Sequence, residues 1–369
     1  MSDFILKEVS NIENELQQIG FDSSYLLQAE NKFRYKNIKI FNLSVAQANI
    51  LKQTALIFGA DCAVNRNVIT GNIAQSDVIL CGSYSQLKKI ADKLMSQPFK
   101  LAILGKKIQN FLEPQLRKTK LVGILNVTPD SFSDGGMFLD KGSAEKHFMQ
   151  MFEDGADMVD IGAESTRPHS NVVSAKEQIN RLCSIIEFAE KENLASKVSV
   201  DTRSSEVADF VLNHGVKIIN DVSGFDYDLK MPQIIANYQA GVIIQHSTSK
   251  TEDYKTYNNI METLFLSLKQ KAELAKANGI NDIIIDPGIG FGKDKEDNFI
   301  ILDKIQELYG LELPIMVGVS RKSLLGVQVD DNALKDSLSA SISYPLMKNG
   351  VDYLRVHNIK LHKSLLNLV

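Results

Sequence analysis

Polar side chains that could bind a ligand follow a series of short apolar segments from residue 122 onward. Each segment has the length and composition of a buried strand, and each leads into residues that favour a turn. The residues at these ends are Asn126; Glu164, Ser165, Thr166 and Arg167; Asp201 and Thr202; Asn220 and Asp221; Gln245 and His246; Asp286; Ser320, Arg321, Lys322 and Ser323; and Arg355 and His357. A single end could be an ordinary surface loop or a helix cap. Eight such ends favour a ligand site, because an unpaired buried polar group costs about 1–3 kcal/mol.

The first group of these side chains has the chemistry of a site for a flat heterocycle. Asp201, Asn220 and Asp286 offer carboxylate and amide groups, with Lys322 as the single nearby cation. A carboxylate that accepts two parallel N–H bonds suits an amidine-like edge, as in a guanine or pterin ring. Asn220 can supply both a donor and an acceptor to the same ring.

A second group consists of Arg355 and His357 at the last segment and Asn126 at the first. Arginine suits a phosphoryl oxygen, and Asn126 could hold a Mg²⁺ ion bound to a diphosphate. The last strand of a closed barrel neighbours the first, so these three residues can meet. The sequence therefore predicts a ligand that is a heterocycle bearing a phosphoryl group.

Strands and helices alternate from Leu121 onward, and this alternation must position the polar ends. Strands are predicted at residues 122–125, 158–161, 198–200, 217–219, 242–244, 283–285, 315–319 and 353–356. Eight strands, each followed by a helix over about 250 residues, predict an α/β fold of the (β/α)₈ TIM barrel type. A doubly wound sheet is the alternative, because periodicity does not establish closure. In both folds ligands bind at the carboxyl ends of the strands.

Residues 1–115 predict an additional small α/β module of unknown role. Ser44 can cap a helix over residues 45–58. Residues 77–82 resemble a strand, and the residues after them resemble an amphipathic helix. The segment carries no cluster of catalytic residue types, which favours a docking or oligomerisation role. The polar stretch 112–120 is the predicted linker to a catalytic domain over residues 116–369.

The composition of the 369-residue chain is typical of a soluble globular protein, with 44% hydrophobic residues. The net charge of −4 argues against nucleic acid as a partner, and no segment approaches the ~20 apolar residues of a membrane span. Cys62, Cys81 and Cys183 lack a metal-ligand spacing, and the N-terminus lacks the features of a secretion signal. The sequence therefore predicts a cytoplasmic protein with reduced cysteines.

Seven motifs resemble the dihydropteroate synthase family, in the order in which that family carries them. They are NVTPDSFSDGG, DIGAESTRP, VDTRSSEVA, INDVSG, IDPGIGFGK, VSRKS and RVH, and together they span about residues 120–369. The resemblance implies a (β/α)₈ barrel and a transferase that joins 6-hydroxymethyl-7,8-dihydropterin diphosphate to 4-aminobenzoate. The products are pyrophosphate and 7,8-dihydropteroate for folate synthesis. The resemblance also implies Mg²⁺ as a cofactor and a homodimeric assembly.

The resemblance implies a role for each of three sets of residues. The pterin is held by Asp201, Asn220, Asp286 and Lys322, and the diphosphate and Mg²⁺ by Asn126, Arg355 and His357. The aminobenzoate site is completed by Asp134, Thr166, Arg167, Pro168 and Ser323, with Phe291 against the ring. The residues implied in catalysis are Asp134, Arg167, Lys322, Arg355 and His357. We expect the loops at residues 130–137 and 165–170 to close over bound pterin diphosphate before aminobenzoate binds.

Three positions differ from the usual family pattern: Ala163 replaces a glycine, Gln245 a methionine and Asn358 an aspartate. Gln245 puts an amide where an apolar pterin contact is expected. Asn358 stands where an aspartate could orient His357.

Two other functions stay open. A pterin-dependent methyltransferase with a corrinoid partner would use a related barrel, but has no need for STRP, SRKS and RVH together. A non-catalytic homologue that binds a pterin as a scaffold is supported only by Gln245 and Asn358.

Overall fold

The computed structural model describes residues 6–9, 11–113, 117–128, 141–164, 173–247, 257–322, 326 and 331–369. The chain separates into two compact units, Met1–Gln115 and Leu116–Val369. Within the described ranges, no helix is long and apolar enough to cross a membrane.

The first unit contains an antiparallel sheet with the strand order β1–β3–β2. Its strands are β1 (Tyr35–Ser44), β2 (Asp61–Val64) and β3 (Gln75–Ser83). Its helices are α1 (Ile12–Gln18), α2 (Leu26–Phe33), α3 (Val45–Ile57), α4 (Tyr84–Leu94) and α5 (Leu101–Leu112). Ser44 begins α3 with a reciprocal capping box to Gln47, and Ser83 does the same for α4 with Gln86. Strands and helices share one apolar core, which makes this unit an α/β structure.

The second unit is built on eight parallel strands among the described residues, in the order β10–β11–β4–β5–β6–β7–β8–β9. They are β4 (Lys120–Asn126), β5 (Met158–Gly162), β6 (Val198–Asp201), β7 (Ile218–Asp221), β8 (Gly241–Gln245), β9 (Ile283–Asp286), β10 (Met316–Val317) and β11 (Tyr353–Val356). The sheet closes between β9 and β10, where the Ile285 backbone N–H donates to the Pro314 carbonyl at 2.9 Å. Closure confirms the predicted barrel and excludes the doubly wound sheet.

A helix follows every strand of the barrel and covers its outer surface. The helices are α6 (Lys141–Glu153), α7 (Ala175–Lys191), α8 (Ser205–Asn213), α9 (Met231–Asn237), α10 (Ile260–Ala277), α11 (Lys295–Asp303), α12 (Asn332–Lys348) and α13 (Ile359–Leu366). Ser174 caps α7 by accepting from the Glu177 backbone N–H. Strands and helices share one large apolar core.

Side chains along each strand alternate between this outer core and the interior of the barrel. Near the start of the strands, a small apolar cluster fills the interior: Val122, Met158, Ile243, Ile284 and Met316. The side-chain period of a strand is two, so residues two positions later also point inward. The interior therefore changes from apolar to polar toward the carboxyl ends, where the polar residues form a layer above the apolar floor.

Arg117 ties the first barrel strand to the last two at the opposite end from this polar layer. Its guanidinium pairs with the Asp352 carboxylate and lies 4.5 Å from the centre of the Tyr309 ring. Asp352 also accepts from the Ile315 backbone N–H at 2.8 Å, just before β10. One arginine thus connects the starts of β4, β10 and β11.

We expect Arg117→Met to destabilise the barrel by about 1–3 kcal/mol, because Asp352 loses a charged, half-buried partner. The neighbouring Lys118 is exposed, so Lys118→Met makes a similar change without that contact and should stay within about 0.5 kcal/mol. Urea unfolding followed by circular dichroism measures both. Equal stability of the two variants would contradict this role of Arg117.

Candidate active site

The polar layer of the barrel is organised around one buried carboxylate, Asp160 on β5. Its Oδ1 accepts from Ser199 Oγ at 2.6 Å, and its Oδ2 accepts from Asn220 Nδ2 at 2.9 Å and from Arg355 Nη1 at 2.8 Å. Arg355 reaches Asp160 from β11, past the intervening strand β4. The contact crosses the interior, and all four side chains are buried.

The position of Arg355 corrects one prediction. The sequence predicts Lys322 as the single cation near the pterin carboxylates, with Arg355 in a separate group. That separation is wrong: Arg355 Nη1 also lies 3.7 Å from Asp201 Oδ2. Gly318, directly after β10, makes room, since a Cβ there would lie 3.3 Å from Arg355 Nε. The side chain of Arg355 is long enough to reach the carboxylates of the polar layer. The position of a residue at a strand end does not reveal this reach.

Burial and neighbouring charges shift the proton affinities of this network. Burial opposes the charge of Arg355, but the carboxylates of Asp160, Asp286 and Asp201 outweigh it and raise the pKa of the guanidinium. Burial and then the charge of Asp160 raise the pKa of Asp201, against the attraction of Arg355. Asp201 therefore holds a proton at a higher pH than an ordinary aspartate does.

Asn220 and Asp286 present mainly hydrogen-bond acceptors to the interior. Because Asn220 Nδ2 donates to Asp160, its Oδ1 is turned away from that contact, and this buried oxygen has no hydrogen-bond partner among the described residues. This narrows the prediction that Asn220 offers a donor and an acceptor alike. Asp286 Oδ1 accepts from the Gly288 backbone N–H at 2.7 Å, which holds the carboxylate at the end of β9.

The glycine-rich loop after β9 is wrapped around a buried lysine, Lys293. Its Nζ donates to three backbone carbonyls: those of His246 at 3.1 Å, Gly288 at 2.9 Å and Phe291 at 3.0 Å. Burial lowers the pKa of Lys293 to about 7, although Asp286 and Asp297 act in the opposite direction. Lys293 ties the loop to the end of β8, which gives the IDPGIGFGK motif a structural role.

Lys322 lies against this same loop. Its Nζ donates to the Ile289 carbonyl and sits 4.7 Å from the centre of the Phe291 ring. Burial, followed by the charge of Arg355, lowers the pKa of Lys322 to about 7, although Asp286 and Asp201 favour its charged form. The structure thus brings Lys322 and Phe291 together, at the edge of the polar layer that contains Asp286.

Asn126 and His357 lie at the carboxyl ends of β4 and β11. Asn126 is exposed, and its Oδ1 is 3.2 Å from the position that a Cβ on Gly162 would take. His357 is half-buried, and its Nδ1 lies 2.9 Å from Ser320 Oγ. Asn358 instead caps α13 and donates to Asp336, so the hydroxyl of Ser320 is the group seen to orient the histidine.

Several polar residues predicted at the strand ends bond to residues outside the polar layer. Glu164 pairs with Arg203, and Thr202 donates to Gln178. Arg321 forms a two-bonded pair with Asp336, at 2.8 and 2.9 Å. The carboxylate of Asp221 accepts from the backbone N–H groups of Ser223 and Phe225 in the loop after β7. Only some of the described residues at these ends therefore carry side chains that face the interior of the barrel.

The predicted residues of the aminobenzoate site lie mostly outside the described residues. They are Asp134, Thr166, Arg167, Pro168 and Ser323. The proposed closing loops at residues 130–137 and 165–170 also fall there, so their roles stay predictions.

Sequence reasoning missed Asp160 and Lys293. Asp160 lies within β5 rather than after it, two positions beyond the inward-facing Met158. A charged residue inside a strand of otherwise apolar residues was the available signal. Lys293 follows a run of three alternating glycines, and no local pattern distinguishes its buried position from that of a surface lysine.

We expect Asp160→Asn to destabilise the protein by about 3–5 kcal/mol, because it leaves Arg355 buried without its closest counter-charge. Ser199→Ala removes one hydrogen bond to the same carboxylate and keeps the ion pair, so about 1.5–3 kcal/mol is expected. Urea unfolding measures both changes. A loss in Asp160→Asn no larger than that in Ser199→Ala would show that the ion pair does not hold the layer together.

Comparison with known proteins places this architecture in a family. The family model described as pterin binding enzyme matches residues 122–357. The dihydropteroate synthase of Clostridium beijerinckii is 39% identical over 247 residues, covering 66% of this chain and 90% of that protein. The bifunctional dihydropteroate synthase/dihydropteroate reductase of Helicobacter pylori is 31% identical over 369 residues, covering 97% of this chain and 95% of that protein.

The solved structures agree with the sequence matches. The dihydropteroate synthase of Anaplasma phagocytophilum with bound 6-hydroxymethylpterin-monophosphate is 36% identical, with a TM-score of 0.62. The match covers 68% of this chain and 98% of that one. A closed barrel with a polar interior at its carboxyl ends, together with these matches, shows that the chain belongs to the dihydropteroate synthase family of pterin-binding enzymes.

Proposed function

We propose that this chain condenses 6-hydroxymethyl-7,8-dihydropterin diphosphate with 4-aminobenzoate, and that the polar layer holds the pterin. The observation that carries the proposal is the convergence of acceptors in the interior: the carboxylates of Asp201 and Asp286, and the Oδ1 of Asn220, which has no hydrogen-bond partner among the described residues. Such a set requires a ligand rich in N–H donors. A dihydropterin ring supplies several, including the two parallel N–H groups of its amidine-like edge.

Asp286 is proposed to accept from that amidine-like edge, and Asp201 and Asn220 from the other ring N–H groups. The Gly288 N–H and the register of β9 fix Asp286 before any ligand arrives, which limits the ordering that binding requires. Lys322 supplies a donor from the side of the Phe291 loop. Phe291 itself is half-buried, so part of its ring is available to pack against a second, aromatic substrate.

The diphosphate is proposed to lie toward β4 and β11, with Arg355 and His357 as donors and Asn126 as a ligand of Mg²⁺. The described residues contain no group of three or more His, Cys, Asp or Glu side chains that could hold a metal. Mg²⁺ is commonly bound through one or two protein oxygens together with substrate phosphates, and the exposed Asn126 Oδ1 fits that arrangement. When bound, the ion would neutralise charge that develops on the leaving diphosphate.

In the reaction, the bond between the pterin methylene carbon and the diphosphate oxygen breaks, and the amine nitrogen of aminobenzoate bonds to that carbon. The nitrogen loses one proton, and pyrophosphate leaves. The charge of Arg355 stabilises the departing anion, and the paired Asp160 keeps the guanidinium in place. No side-chain nucleophile is required, because the electron-rich dihydropterin ring stabilises the carbon from which diphosphate departs.

Incubation with the pterin diphosphate, 4-aminobenzoate and Mg²⁺ tests the proposal. We expect dihydropteroate and pyrophosphate to appear in equal amounts. Pterin binding without product would favour a non-catalytic homologue. Release of pyrophosphate without dihydropteroate would show that aminobenzoate is not the acceptor.

A second activity, reduction of dihydropteroate, is favoured by the match to the Helicobacter pylori relative. That protein is named as a bifunctional synthase and reductase, and it aligns with 97% of this chain, including the first unit. The reaction would transfer a hydride to the C6=N5 bond of 7,8-dihydropteroate and a proton to N5. A reduced nicotinamide or flavin would be oxidised by two electrons.

The full chain, dihydropteroate and a reduced nicotinamide, with and without added flavin, test this second activity. We expect tetrahydropteroate in amounts equal to the nicotinamide oxidised. The same assay on Leu116–Val369 determines whether the first unit is needed. No oxidation by the full chain under either condition would exclude the reductase.

Family membership also supports a homodimer, and the three free thiols of Cys62, Cys81 and Cys183 support a cytoplasmic location. Sedimentation velocity of the full chain would measure the assembly.

Lys322 and Asp201, whose pKa values are shifted, should exchange protons in opposite directions when pterin binds. Pairing with a ring acceptor would raise the pKa of Lys322 from about 7, so Lys322 would take up a proton above that pH. Pairing with ring N–H groups would lower the raised pKa of Asp201, so Asp201 would release a proton. Near pH ~7.5 the two movements should largely cancel.

Calorimetric titration with 6-hydroxymethylpterin in two buffers of different ionisation enthalpy measures the net proton count. We expect Lys322→Met to release protons on binding and Asp201→Asn to take them up. Identical counts for the wild type and both variants would contradict these contacts.

A further inference from the structure

Gln245 is a buried side chain whose hydrogen bonds are incomplete. It ends β8 and is fully buried, and neither its Oε1 nor its Nε2 has a hydrogen-bond partner among the described residues. Leaving both ends of an amide unpaired in a protein interior is costly, and a methionine of similar length would fill the same space without that cost. The unpaired amide thus has two hydrogen-bonding ends to offer to a group other than the described residues.

The place of Gln245 in the barrel identifies where that group lies. Gln245 is two residues beyond Ile243, which belongs to the apolar floor, so its side chain points into the interior. It pairs in register with Asp286 on β9. Its Cγ lies 3.2 Å from the position of a Cβ on Gly288, so the loop after β9 packs on the stem of the side chain. The amide is thus beside the carboxylate proposed to bind the ring.

The charges around Gln245 indicate what it would contact. Asp201, Asp286 and the Oδ1 of Asn220 are acceptors for the N–H groups of a pterin ring. The ring also carries a carbonyl oxygen next to its amidine-like edge, and this oxygen pairs only with a donor. Lys322 and Arg355 are cations that already bond to the Ile289 carbonyl and to Asp160. The Nε2 of Gln245 is a neutral donor in register with Asp286, and it has no hydrogen-bond partner among the described residues.

We propose that Gln245 is a specificity-determining residue, whose amide hydrogen-bonds the polar edge of the pterin ring beside the edge held by Asp286. This inference rests on the proposed function. It assigns to the chain a polar ring contact that an apolar residue at this position could not make.

Three proteins test the inference: the wild type, Gln245→Met, and Gln150→Met, which makes the same change at an exposed position of α6. We expect Gln245→Met to weaken binding of 6-hydroxymethylpterin about tenfold, the scale of one hydrogen bond. Gln150→Met should bind as the wild type does. Without ligand, Gln245→Met should melt at the same temperature as the wild type or higher, because an unpaired amide has been removed.

A spectroscopic readout separates contact from a merely structural role. The side-chain amide signals of Gln245, assigned by their absence in Gln245→Met, should move when 6-hydroxymethylpterin is added. If the wild type binds the pterin, unmoved amide signals together with less than a twofold loss in Gln245→Met would overturn the inference alone. Failure of the wild type to bind the pterin would overturn the proposed function as well.

Discussion

The buried ion pair between Asp160 and Arg355 is the interaction on which the polar layer depends. Taking two opposite charges out of water costs several kcal/mol for each ion, and their attraction offsets this only when the remaining hydrogen bonds are satisfied. Ser199 and Asn220 satisfy the remaining hydrogen bonds of the Asp160 carboxylate. The same contacts determine what a ligand meets: Arg355 is held at one side of the interior, and the amide of Asn220 is oriented so that its oxygen is left for a donor. An ion pair that contributes little net stability can therefore define the geometry of a site.

The strands and helices of the barrel could be predicted largely from the sequence, because the signals for them are local, whereas most elements of the first unit were not predicted. Apolar segments of strand length, each followed by a helical pattern, identified the strands β4 to β11 and their order in the chain. Ser44 predicted a helix start that the structure contains. The bounds were less accurate at β10, which comprises only Met316–Val317, since an apolar run does not show where a hydrogen-bonded ladder ends. Closure of the sheet depends on a single bridge between distant residues, Ile285 and Ile315, and no local pattern encodes it.

The site could be predicted only in part, because residues after a strand and residues facing the interior are different sets. Asn220, Asp201 and Asp286 satisfy both conditions, whereas Asp221 and Arg321 follow strands but bond to their own loop or to a neighbouring helix. Asp160 faces the interior from within a strand. The period-two rule, applied from the apolar floor, separates these cases, since Asn220 has the parity of inward-facing Ile218 and Asp221 has the opposite one. Contacts made by long side chains across the interior, such as that of Arg355, lie beyond any such rule because sequence spacing does not limit their reach.

The polar layer also links binding to stability through the same side chains. The oxygen of Asn220 and the amide of Gln245 have no hydrogen-bond partners among the described residues, and burial shifts the pKa values of Asp201 and Lys322 in opposite directions. Each of these features favours unfolding slightly, and each is reversed by a ligand that brings matching donors and acceptors. The apolar floor and the core between strands and helices must supply the stability that the polar layer does not. A barrel divides these requirements along its axis, with packing at the amino ends of the strands and incomplete hydrogen bonding at the carboxyl ends, so that a heterocycle can complete what folding leaves unpaired.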